Sequence, residues 1–149
     1  MYFWKTDQLV DEFKANSISE NNLKNYYLAT SVLAFVFYYI ALLEPHENYL
    51  ALAVEAIGSI TVSVLGINAA FQANGGVLGR GFLNKMISIF FPLLIKSYVA
   101  GLILGVLLAI LFHSETDKSI ITWVTSISVI AIQVVIYWRL TVHVRNTNA

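Results

Sequence analysis

The chain has 149 residues, of which 58% are apolar and 12% charged, with nine Lys+Arg against nine Asp+Glu. Soluble domains carry about 25% charge, and a chain this small has no core large enough to hide so much apolar surface. With a mean hydropathy of +0.70, the composition excludes most water-soluble enzymes and any strongly basic nucleic-acid binder. There is no cysteine, which removes disulfide frameworks, thiolate metal sites and thiol catalysis.

Residues 1–25 are polar and mixed in charge, without the pattern of a secretory signal peptide. They read as a cytoplasmic or interfacial segment. Within it, TDQLVDEF (6–13) predicts a short amphipathic helix with Leu9, Val10 and Phe13 on one side. Together with Tyr2, Phe3 and Trp4, that side is suited to lying on the inner membrane surface. Ser17 and Glu20 have capping-box spacing, so the next helix is expected to open there.

Four apolar runs follow, over 26–43, 49–71, 86–112 and 119–142. Each approaches or exceeds the roughly 20 helical residues that cross a hydrocarbon core of about 30 Å. Lipid offers the backbone no hydrogen-bond partners, so these segments must be helices. The expected fold is an all-α integral membrane protein, with four transmembrane helices in a compact bundle over 26–142 and a tail at 143–149. Lys5, Lys14, Lys24, Arg80, Lys85, Arg139 and Arg145 fall on one side of this scheme, and only Lys118 on the other. The positive-inside rule then puts both termini in the cytoplasm. The bacterial inner membrane is the expected location. Pro92 should kink the third span or mark its true start after an interfacial lead-in.

Ionisable groups within spans are costly and are functional candidates for that reason. Glu55 lies in the second span and Lys96 in the third. At 1.5 Å per residue their backbones differ in depth by about 6–8 Å, which leaves three options open. They pair, they snorkel to opposite surfaces, or they line a conducting path. Gln133 in the fourth span is the expected hydrogen-bond partner of Lys96. Glu55 shares a small, weakly polar stripe with Ala51, Ser59, Ser63, Gly66 and Ala70, while Ser126 and Gln133 belong to a matching stripe. Such faces should point at neighbouring helices. Gly101 and Gly105 form a G-x-x-x-G, a candidate close-packing surface for a helix of the same or another protomer.

In the loops, the four glycines of 75–81 lack the strand and the G-K-[ST] of a phosphate-binding loop. Arg80 and Lys85 are expected to contact anionic lipid headgroups. On the other side His46, Glu47, His113 and Glu115 could converge on a divalent cation, without tight ligand spacing to support it. No cofactor is called for, and no serine or carboxylate pair has a catalytic context.

The leading expectation is a non-enzymatic protein acting through helix–helix association, with membrane lipids and a homo-oligomer or another membrane protein as partners. It would be an oligomeric channel-like protein or the membrane subunit of a larger complex. Two rivals are an immunity-type protein that neutralises a pore-forming toxin and a divalent-cation carrier or sensor.

Overall fold

The computed structural model describes residues 1–42, 48–111 and 118–148. The described chain is helical: α1 (Thr6–Lys14), α2 (Glu20–Leu42), α3 (Tyr49–Ala73), α4 (Phe82–Leu111) and α5 (Lys118–Asn146), with a single 3₁₀ turn at Gly76–Leu78. Three of these, over Tyr49–Ala73, Phe82–Ile110 and Ser119–Asn146, are long and apolar enough to cross a membrane. The protein is therefore a membrane protein by the length and composition of its helices.

Helix starts follow local chemistry. Asn48 caps α3, its side chain accepting from the Ala51 amide at 3.1 Å. At the head of α2 the cap is Ser19, whose Oγ accepts from the Asn22 amide at 3.3 Å. Ser17, the expected cap, instead donates to the Glu12 carbonyl and closes the end of α1. Pro92 is fully buried and lies inside an uninterrupted α4, so the lead-in from Phe82 and the apolar run form one helix. α4 starts four residues, and α5 one residue, before the expected spans, and α5 runs on to Asn146.

The helices do not close into the expected compact bundle. Among the described residues α2 packs on α4, α4 on α5, and α5 on α3, which is an open row. The tightest seam joins α3 to α5. Its basis is the small-residue stripe: Ala51 and Ala70 are wholly buried, and Gly58 and Gly66 admit side chains of α5. A Cβ on Gly58 would stand 2.6 Å from Ile130 Cδ1, and one on Gly66 would overlap the Tyr137 ring. Backbones can approach this closely only over glycine.

The apolar side of α1 rests on α4 and α5. Leu9 (0% exposed) and Val10 join Tyr26, Ile89, Phe91, Leu93, Leu140 and Val144 in one buried cluster. The residues before α1 are tied down as well. Tyr2 N donates to the Tyr26 hydroxyl at 2.7 Å, and Phe3 meets the Phe91 ring edge-on. Tyr2 Oη donates to Glu12 at 2.7 Å, and this bond to a carboxylate holds the phenol's pKa above its usual value.

At the same end, α3 and α5 are laced to the 74–81 loop. Lys85 Nζ donates to Asn74 Oδ1 at 3.0 Å and to Asn148 Oδ1 at 2.7 Å, while Asn148 Nδ2 reaches the Ala73 carbonyl. Gly75, Gly76 and Gly81 take positive φ, which lets the turn fold back over the buried Asn74.

Candidate functional site

Two polar places stand on these helices, and the structure separates them. The first surrounds Lys96. Its ammonium donates to Thr6 Oγ1 at 3.0 Å and lies 5.7 Å from the centre of the Trp4 ring. Thr6 is 2% exposed, so the first turn of α1 caps a charge that would otherwise face apolar surroundings. A cation over an indole face gains from the ring quadrupole. Beside it, His143 is buried on α5, with Nδ1 3.7 Å from Asp7 Oδ1 and no hydrogen bond to that atom. Asp7 itself is 94% exposed, so this pair contributes little.

The second place runs along the α3–α5 seam. Asn48 bonds Ser119, Gly58 faces Ile130 and Gly66 faces Tyr137, so the two helices run parallel with Glu55 level with Ser126. Ser126 is buried, and Glu55 and Ser59 are half-buried. Gln133 lies two turns further along α5, with its Oε1 buried and without a hydrogen-bond partner. It lines a groove of about 650 Å³ together with Tyr98, Tyr137 and the stacked Phe37. Among the described residues no ion pair or hydrogen bond engages Glu55.

Lys96 and Glu55 are therefore not partners, and Gln133 is not the ligand of Lys96. The reason is register. Gly101 faces Ile132 and Phe90 faces Tyr137, which sets Lys96 level with about residue 135 of α5. Glu55 stands level with Ser126, roughly 14 Å away along the axis. The lean of a helical side chain toward its own N-terminus carries Lys96 further from Glu55 and toward α1.

Several hydroxyls of the long helices are satisfied within their own helices. Ser31, Thr61, Ser97, Ser128 and Thr141 each donate to the carbonyl four residues earlier. Among the described residues Gly101 and Gly105 make no close contact: a Cβ on Gly101 would be 4.0 Å from Ile132, and one on Gly105 meets open space. Lys85 is engaged by two asparagines, leaving Arg80 as the exposed cation of that loop. Val77 and Leu78 beside it are each 92% exposed. His46, Glu47, His113 and Glu115 lie outside the described residues. Among the described residues no three His, Asp or Glu side chains gather as a metal site.

No family model, curated protein or solved structure matches the chain. The site must be read from its own residues. Sequence reasoning missed Thr6, Trp4 and His143 as neighbours of Lys96. The available signal was the apolar side of α1, which suits a protein surface as well as a bilayer.

Proposed function

We propose that the protein acts non-enzymatically, through helix–helix association in the bilayer, as an oligomeric channel-like protein or the membrane subunit of a larger complex. Glu55 carries this reading. It is a half-buried carboxylate on a membrane-length helix, and no group among the described residues answers it. An ionisable side chain at such a position is costly unless paired, and a second helix can supply the partner. The unanswered Oε1 of Gln133 supports the same conclusion. So does the open row: only 6% of the most apolar stretch of α3, and of α4, is buried inside the chain.

In this reading α2 is also a span, the first in chain order, since its 23 residues are mostly apolar from Tyr26 onward. Both termini are cytoplasmic, with the basic residues of α1, the 74–81 loop and the end of α5 gathered at one end. The association surface in this reading lies along α3 and the Gln133 groove, which Gly101 also lines.

Ion flux through liposomes containing the purified protein tests the channel form. Flux that changes with Glu55→Gln supports a channel. A tight bilayer at every voltage rejects it and leaves the subunit form, which requires a second membrane protein to co-purify in fixed ratio.

A further inference from the structure

We infer that α4 and α5 hold an anionic membrane lipid, its headgroup on Lys96 and Arg139 and an acyl chain in the crevice above them. This is independent of the helix-association reading, because it requires only that α4 and α5 lie in a bilayer. The two cations line one cavity of about 370 Å³, whose remaining walls include Ser97, Ala100, Ala131 and Ile132. Its two charges lie toward one end, and the walls toward Ala100 and Ala131 carry none. Leu93 and Ile136 close the inner side from the buried cluster under α1.

Among the described residues neither cation is neutralised. Lys96 spends one of its donors on the neutral Thr6 hydroxyl. Asp7, the carboxylate of α1 nearest this part of the fold, is drawn to His143, and no ion pair among the described residues joins it to Lys96 or Arg139. Two like charges lining one cavity at the edge of the hydrocarbon repel each other unless an anion lies between them. A phosphate accepts from both ammonium and guanidinium, and Arg binds it in a two-pronged manner. Basic pockets between membrane helices on the cytoplasmic side are suited to such headgroups.

The walls select a lipid over a free anion. Beyond Ala100 a second cavity of about 430 Å³, lined by Gly101 and Gly105, shares Ile132 as a wall with the first. The open space at Gly105 lies along this second cavity, in line with an acyl chain running outward from the headgroup. Of the hydroxyls along the two cavities, Ser97, Thr125 and Ser128, the two serines are already bonded to their own helix carbonyls and present no unsatisfied group to a hydrocarbon chain.

Native mass spectrometry of the full-length protein, delipidated in detergent, tests this. The probes are phosphatidylglycerol, phosphatidylcholine with the same chains, and glycerol 3-phosphate. Phosphatidylglycerol should bind about tenfold more tightly than phosphatidylcholine, with glycerol 3-phosphate not retained. Arg139→Gln should remove most of that preference, and Ala131→Phe should weaken both lipids, with helicity unchanged in each. Lys96→Gln should act like Arg139→Gln, and Arg80→Gln should leave binding as it is. Equal binding of the two lipids overturns the headgroup assignment. Retention of glycerol 3-phosphate as tight as that of phosphatidylglycerol overturns the acyl crevice. Loss of binding in Arg80→Gln, with Arg139→Gln silent, moves the lipid to the loop and overturns both.

Discussion

The two ends of the helix row differ in how they are packed. At the end bearing α1, Leu9, Ala70, Ile89, Leu140 and Val144 are wholly buried, and the loops and C-terminal segment are laced by Asn74, Lys85 and Asn148. Toward the other end of α4, Leu102, Ile103, Val106, Leu107 and Ile110 are each at least half exposed. The hydrophobicity is the same in both places. The difference is that α1 brings apolar side chains from outside the row, whereas lipid tails compete equally with any helix surface. The chain therefore packs itself where an extra element is supplied and leaves the rest to lipid or partners.

The contrast is broken most directly by removing the extra element. Leu9→Ala deletes the most enclosed side chain of α1 and should cost about 2–5 kcal/mol. Because α1 is only nine residues long, the loss should appear as release of α1. Faster amide exchange over 6–14, with α3–α5 unchanged, would show it. Exchange rising equally in every helix would contradict the idea that α1 is a separate layer.

A smaller effect is expected at the α3–α5 seam. Gly66→Leu forces a side chain into the Tyr137 ring and should destabilise by about 1–3 kcal/mol, read as a lower melting temperature in detergent. Gly105→Leu points into open space and should leave melting nearly unchanged. If the two behaved alike, the assignment of the close contact to α3 would fail.

Smaller again is Thr6→Val, which keeps the shape but removes the acceptor for Lys96. About 1–2 kcal/mol should be lost, and Lys96→Met should make most of that loss disappear, as a double-mutant cycle would reveal.

The smallest effect is with pH. The Tyr2 phenol is held above its usual value by its bond to Glu12. A raised folded-state value means the contribution is complete below the ordinary pKa of a tyrosine, near 10, and is lost as pH rises through the folded value. Protection of the first residues, measured relative to the free-peptide exchange rate at each pH, should therefore fall in alkali, and in Tyr2→Phe it should be low already at neutral pH with no further alkaline loss.

These contrasts also mark what could be read in advance. Helix positions were legible because long apolar runs have one solution in lipid, and α1 was legible from Leu9, Val10 and Phe13. The pairing of helices was not. Segments apolar on every side carry no stripe that says which face meets which neighbour. The Ala51–Glu55–Gly66–Ala70 stripe of α3 was the exception, and it does face α5. The G-x-x-x-G of α4 meets no helix closely among the described residues, because a close contact depends on the opposing side chain as much as on the glycines. Lys96 meets a residue 90 positions away, and no local spacing encodes that.

The central claim is that the exposed faces of the row are association surfaces, with the half-buried Glu55 at the rim of the α3–α5 seam as their polar contact. The mass of particles extracted from native membranes into lipid nanodiscs tests it directly. The account predicts more than one chain per particle, or one chain with a second membrane protein in fixed ratio, and dissociation in Glu55→Gln. A single chain alone, in both the native sequence and Glu55→Gln, would contradict it.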